Sequence, residues 1–184
     1  MSNTILVTYA SRTGSTAGVA EAIGKTLSES GPLVDVLPMQ NVKDLAPYDA
    51  VVLGSAIRAA AWLPEALDFA RTHRAALARR PVAIFAVCMT LAMNKGDYRD
   101  QVSQWLAPVR ALINPVSEGL FAGILDISKV ESFGERLKFR LSVMAGVWSE
   151  GDHRDWDAIR AWARELPAQF QRSTVPNGTP DTIH

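Results

Sequence analysis

Short, nearly unbroken apolar runs alternate along this chain with longer stretches whose apolar residues recur every three or four positions. Ile5-Leu6-Val7-Thr8-Tyr9, Leu33-Val34-Asp35-Val36-Leu37, Ala50-Val51-Val52-Leu53-Gly54, Val82-Ala83-Ile84-Phe85-Ala86-Val87 and Leu120-Phe121-Ala122-Gly123-Ile124 have the length and content of strands. Between them the spacing predicts helices from about Ser15 to Ser30, Pro64 to Arg80 and Asp97 to Leu112. Gly31-Pro32 stops the first, and Pro64 suits the first turn of the second. A last helix follows Gly151-Asp152-His153-Arg154-Asp155, with Trp156, Ile159, Trp162, Leu166 and Phe170 on one face. Strands apolar on both faces and separated by helices predict a parallel sheet covered on both sides. The expectation is a doubly wound, five-stranded α/β domain over residues 1–172, with 173–184, rich in Thr, Pro and Asn, as a frayed tail. Its ligand site lies at the carboxyl ends of the strands, where the strand order reverses.

One periodic stretch is surplus to that sheet. Ile127, Val130, Phe133, Leu137, Leu141, Met144 and Trp148 fall on one face of a helix spanning about Asp126 to Trp148. Lys129, Arg136 and Arg140 border the stripe, while Glu131, Glu135 and Lys138 lie beyond its other edge. Such a stripe caps the core, seals a homodimer, or lies in a bilayer interface with its cations toward anionic headgroups. The expectation is that this helix flanks the open edge of the ligand site.

Composition narrows the function classes. Of 184 residues, 48% are hydrophobic and 21% charged, which argues against a disordered chain. Nineteen Lys+Arg balance nineteen Asp+Glu for a net charge of +0, so no global basic field attracts nucleic acid. A single cysteine excludes an internal disulfide framework, and His73, His153 and His184 have no metal-ligand spacing, so no metal is expected. With no basic, apolar leader and no run long enough to span a bilayer, the expected location is cytoplasmic, with peripheral membrane contact left open.

The chemistry starts after the first strand. Ser11-Arg12-Thr13-Gly14-Ser15-Thr16 brings four hydroxyls and a glycine to the entry of a helix, whose unpaired N–H groups and partial positive charge suit an anion. Three rival motifs fail. Gly18 to Gly24-Lys25-Thr26 has five intervening residues where a P-loop has four, and it lies inside a helix. Gly14-Ser15-Thr16-Ala17-Gly18 has Thr16 at the nucleophile position of a hydrolase elbow and no matched histidine. No G-x-G-x-x-G occurs.

Tyr9-x-Ser11-x-x-Gly14-x-Thr16-x-x-x-Ala20-x-x-Ile23 resembles the flavodoxin signature, with Thr8 as a departure where an apolar or aromatic residue is usual. The resemblance implies a flavodoxin-like fold with strand order 2-1-3-4-5 that binds FMN by its phosphate. Gly54-Ser55-Ala56-Ile57-Arg58, Ala122-Gly123-Ile124-Leu125 with the cationic helix after it, and Asp155-Trp156 are similar to the menaquinone-dependent protoporphyrinogen IX dehydrogenase family. Where that family carries aromatic and polar residues after the Ile-Arg pair, this chain has Ala59-Ala60-Ala61-Trp62.

In flavodoxin-like proteins the loops after strands three and four hold the flavin ring. Here these are Ser55 to Trp62 and Cys88 to Gly96, with Ser55, Ala56, Ile57, Arg58, Met89, Thr90 and Leu91 as expected cofactor contacts. Trp62 either stacks on the ring or packs under the following helix. The second loop offers no aromatic, which leaves the ring open to a substrate. Arg58 either supports reduced flavin or a substrate carboxylate, as a catalytic residue, or is a solvated loop cation. Cys88, at the end of a buried strand, reads as a core thiol. The functional expectation is an FMN-dependent oxidoreductase passing electrons from a reduced small molecule to a quinone. The alternatives are a flavodoxin-type electron carrier, whose usual acidic field is missing at +0, and a non-catalytic interaction module.

Overall fold

The computed structural model describes residues 4–93, 97–129 and 132–174. In chain order the elements are β1 (Thr4–Ala10), α1 (Ser15–Ser28), β2 (Leu33–Pro38), β3 (Ala50–Arg58), β4 (Ala61–Trp62), α2 (Pro64–Thr72), α3 (Arg74–Leu77), β5 (Val82–Val87), α4 (Arg99–Gln104), α5 (Ala107–Arg110), β6 (Ser117–Phe121), β7 (Ile124–Leu125), α6 (Phe133–Met144), β8 (Gly151–Asp152) and α7 (Trp156–Thr174). Five parallel strands run β2-β1-β3-β5-β6. With the short β4 left aside, that is the expected 2-1-3-4-5 order.

Because side chains alternate across a strand, each buried strand serves two cores. Leu6, Val51, Leu53 and Ile84 pack with Phe69, Leu77 and Leu106 from the α2–α5 side. Ile5, Val7, Val52 and Phe85 pack with Val19 and Ile23 of α1 and Ile159, Leu166 and Phe170 of α7. Gly54 is required on this second face, where a Cβ would lie 2.0 Å from Phe85 Cζ. The chain leaves β1 for β2 on one side and returns to β3 on the other. The crevice for a ligand therefore opens above the carboxyl ends of β1 and β3.

Several elements differ from expectation for identifiable reasons. The third strand continues past Gly54 to Arg58 and folds back on β4, pairing Ile57 with Trp62 and Arg58 with Ala61. Its two-residue turn puts Ala59 and Ala60 at φ 49° and 59°, a conformation usually given to Asn or Gly. Trp62 is consequently 3% exposed and joins the α2-side core instead of a ligand wall. The helix expected over 97–112 is two pieces, because Pro108 has no N–H to bond Gln104. The stretch 64–80 also divides, at His73.

The fifth strand begins at Ser117 and ends at Phe121, and its polar start is held by partners. Glu118 meets Arg110, and Ser117 Oγ accepts from Trp162 Nε1 at 3.0 Å. Ile124-Leu125 instead pairs antiparallel with β8. The surplus helix is shorter than its stripe: Ile127 is buried in a 3-10 turn at 127–129, and Val130 lies outside the described residues. α6 ends at Met144 because Gly146, at φ 69°, donates to Val143 C=O (3.0 Å) while Val147 donates to Ser142 C=O (3.0 Å), a Schellman cap. Trp148 lies beyond that cap, off the stripe. α7 runs through Ser173 to Thr174, so the expected tail begins later, and 175–184 lie outside the described residues.

Candidate functional site

The turn from β1 into α1 leaves a set of donors open at the crevice. Gly14 holds φ 86°, ψ −11° at the head of α1, with nothing within 4 Å of a Cβ built there, so its requirement is conformational. Its N–H donates to Ser11 Oγ (3.2 Å), and Gly18 N–H donates to Gly14 C=O (3.1 Å). The N–H groups of Ser15, Thr16 and Ala17 have no partner among the described residues, as a helix start requires. Thr16 is 1% exposed, and its hydroxyl likewise makes no hydrogen bond among the described residues. Ser15 Oγ accepts from Ile124 N–H (3.1 Å), which ties the loop to β7 and leaves the hydroxyl proton available. Gly123 makes that approach feasible: a Cβ there would lie 3.1 Å from Ser15 Oγ and 3.2 Å from Val87 Cγ1.

Around this loop is a cavity of about 410 Å³, within the size range of small-molecule sites. Ser11, Arg12, Thr13, Ser15 and Thr16 form its polar end. Ala56, Ile57 and Arg58 at the end of β3, with Ala59 and Ala60 of the turn, form one wall. Cys88, Met89 and Thr90 after β5 form another. These are the places the sequence assigns to cofactor contacts; of the residues expected there, Gly14, Ser55 and Leu91 are absent from the lining. Ser55 is fully buried and absent from the lining. Its hydroxyl donates to Ala56 C=O (2.8 Å) and accepts from Leu63 N–H (3.0 Å), which fixes the β3–α2 connection. Leu91, within the 3-10 turn Met89–Ala92, also does not reach the cavity.

Arg12 is turned to a protein partner. Its guanidinium forms a two-pronged ion pair with Glu65 at the start of α2, one prong at 2.9 Å to Oε2 and the other to Oε1. Both side chains are about half exposed, so the pair positions more than it stabilises. Burial pushes the Cys88 thiol pKa up, against weaker opposing hydrogen bonds from Thr90, which keeps it a neutral wall atom.

The sequence does not assign the rest of the lining residue by residue, although it puts the amphipathic stretch after the fifth strand at the open edge of the site. Trp105 beyond α4, Gly123 to Asp126, Phe139 of α6 and Trp148 complete the cavity. Phe139 and Trp148 meet in a tilted pair at 5.2 Å and 41°, and the Trp148 Nε1 donor is buried with no partner among the described residues. The loop after β5 holds no aromatic residue, and aromatic cover comes instead from residues distant in sequence. A signal existed for Phe139, an aromatic residue on the otherwise polar side of the amphipathic stretch. Opposite the loop, Arg154 binds Asp152 (2.8 Å) and lies 4.2 Å over the Trp156 ring, holding β8 against α1 near Gly18. That ion pair also holds the Asp152 carboxyl below its usual pKa.

Comparison with known proteins points one way. A family model described as flavodoxin domain matches residues 6–154. A curated protein, protoporphyrinogen IX dehydrogenase [quinone] of Leishmania major, is 26% identical over 171 residues, covering 89% of this chain and 74% of its own. Among solved structures, a short-chain flavodoxin associated with a non-canonical PDU bacterial microcompartment matches with TM-score 0.56 and 14% identity, covering 94% of this chain and 99% of that one. A Streptococcus pneumoniae TIGR4 flavodoxin matches with TM-score 0.55 and 17% identity, covering 90% and 99%. Flavodoxin 2 of Bacillus cereus gives 0.51 and 20%, covering 92% and 99%. At these identities the structural matches establish the fold.

Proposed function

The chain belongs to the flavodoxin domain family, whose members bind FMN, and from that premise we propose that it is an FMN-dependent oxidoreductase moving electrons from a reduced organic substrate to a quinone. The open donors fit the cofactor's phosphate: free N–H groups at the head of α1, the unpartnered Thr16 hydroxyl, and Gly14 in the left-handed turn that exposes them. FMN supplies hydride and electron transfer when bound.

The chain's own residues bind, orient and exclude water. Thr16 and Ser15 hold the phosphate end, with Ser11 and Thr13 beside them. Ala56, Ile57, Met89 and Thr90 supply flat walls for a ring system. Arg58, exposed at the end of β3, is the cation assigned to the ring's anionic reduced form or to a substrate carboxylate. Phe139 and Trp148 shield the far side from solvent. Cys88, kept protonated by burial, takes no nucleophilic role.

One observation carries the enzymatic reading over that of a carrier. The segment after β6 walls the same cavity as the phosphate loop, which gives it an aromatic face that anchoring the cofactor does not need. The relative's name supplies the finer assignment of a porphyrinogen donor and a quinone acceptor. The net charge of +0 lacks the steering field by which acidic carriers find basic partners. The test is oxidation of protoporphyrinogen by FMN-loaded protein with a quinone present. Arg58→Ala should lower turnover about tenfold or more at unchanged thermal stability, with Lys rescuing partly for want of the planar fork. Equal turnover in wild type and Arg58→Ala removes Arg58 from the chemistry. No turnover with any quinone favours the carrier.

A further inference from the structure

We infer that the outward face of α6 docks on an anionic bilayer surface and that a lipid-dissolved electron acceptor enters the cavity from that side. The first half stands on the helix alone; the second rests on the oxidoreductase reading above.

Among the described residues five large apolar side chains are exposed, and four of them are on this one helix: Phe133 (80%), Leu137 (51%), Leu141 (56%) and Met144 (84%). At about 100° per residue they span an arc of about 80°. The same geometry places Arg136 and Arg140 along one border of the arc and Lys138 beyond the other. The helix carries these three cations against the single carboxylate of Glu135, in a chain whose net charge is +0. An apolar strip with Arg136 and Arg140 along one border and Lys138 beyond the other is complementary to acyl chains beneath anionic headgroups.

A second copy fits less well. Twelve residues make a helix about 18 Å long and about 10 Å across, so one face offers roughly 200 Å², far below the ~800 Å² per partner that stable dimers bury. Pairing two such faces would also bring cationic borders together. No helix among the described residues is long and apolar enough to cross a membrane, so the contact is interfacial.

The helix faces two ways. Phe139, on its other side, lines the cavity that contains the phosphate loop, as does Trp148. The same two rings line a second depression of about 560 Å³, whose other walls are Lys138, Leu141 and Ser142. Leu141 belongs to the exposed strip. The surface groove at the docking face and the cofactor cavity thus share these two aromatic rings as walls, and the inferred path of an apolar acceptor runs past them.

The experiment uses FMN-loaded full-length protein and vesicles of phosphatidylcholine with or without phosphatidylglycerol, at about seven to three. Wild type should sediment with the anionic vesicles at low salt, about tenfold or more better than with neutral ones, and release at high salt. Phe133→Ser with Leu137→Ser alters only exposed positions, so the protein should keep FMN while vesicle affinity falls about tenfold or more. Lys138→Glu with Arg140→Glu should lose the preference for anionic vesicles. The serine variant should also slow reduction of a long-chain quinone in vesicles and leave a water-soluble short-chain quinone unaffected. Absence of vesicle binding at low salt overturns the inference, as does binding that the serine variant leaves intact. Self-association that the serine variant abolishes, without vesicle affinity, reassigns the face to a second copy. Vesicle binding without turnover of either quinone upholds the dock and defeats the oxidoreductase reading instead.

Discussion

The half of the molecule built on the parallel sheet and the segment from Asp126 to Asp152 obey opposite rules. In the sheet half, the core side chains are buried to a few per cent, with Leu33 at the edge strand exposed, and the strand ends converge on a loop whose open groups are polar. In the added segment, Phe133, Leu137, Leu141 and Met144 of α6 face solvent, while its Phe139 lines the cavity with Trp148. A domain core explains the first arrangement completely. The second fits the proposal that this segment contacts a bilayer surface on one side and the cavity on the other. On that proposal the roles separate: the sheet half anchors the cofactor, and the added segment governs what reaches it.

That separation predicts which changes affect which property. The largest effect belongs to Gly14→Val. A β-branched residue at φ 86° is a steric outlier, and FMN affinity should fall by about a hundredfold or more, measured by fluorescence titration of apoprotein. Thr16→Ala removes one hydrogen bond to a charged group and should cost ~1.5–3 kcal/mol of FMN binding, about tenfold to a hundredfold. Paired alanine substitutions at Phe139 and Trp148 should do the reverse: turnover falls about tenfold while FMN affinity changes about threefold at most. Large losses of FMN in that variant would merge the two regions and break the comparison.

Much of this division is legible in the residues. Ile5 to Tyr9 and Val82 to Val87 read as buried strands because almost nothing in them is polar, and the loop between Ala10 and Ser15 announces itself by its hydroxyls and glycine. The β3–β4 hairpin is not legible, since Ala59-Ala60 carries none of the turn chemistry that its positive φ angles call for. Ser55 reads as a loop hydroxyl, yet the continuation of β3 buries it and gives its oxygen two backbone partners. The stripe from Ile127 to Trp148 keeps helical spacing through a 3-10 turn and past a Schellman cap. Periodicity alone cannot see where hydrogen bonds stop. Trp105 and Trp148 reach the cavity through tertiary folding, which no local pattern encodes, whereas Phe139 stands out as an aromatic residue on the polar side of its helix.

Two smaller effects sharpen the account of the sheet half. The Thr8 hydroxyl is fully buried without a partner among the described residues, so Thr8→Val, of the same shape, should stabilise the protein by about 1 kcal/mol in urea unfolding. Tyr48 donates to Asp35 Oδ2 at 2.8 Å, and burial together with that carboxylate pushes its pKa up to about 12. A raised pKa means that the neutral phenol is favoured in the folded state. Its contribution is complete below the ordinary tyrosine value near ~10 and is lost as pH rises through about 12. Tyr48→Phe should flatten that alkaline fall in stability, followed by circular dichroism.

On the proposed function, FMN held at the head of α1 is reduced by a small molecule and reoxidised by a quinone within this one chain. Anaerobic stopped-flow of FMN-loaded protein tests it directly. Protoporphyrinogen should bleach the visible flavin band, and a quinone mixed in afterwards should restore it, both at rates at least equal to steady-state turnover. A band that protoporphyrinogen leaves unchanged, while a reductase protein bleaches it readily, would contradict the account and make the chain an electron carrier.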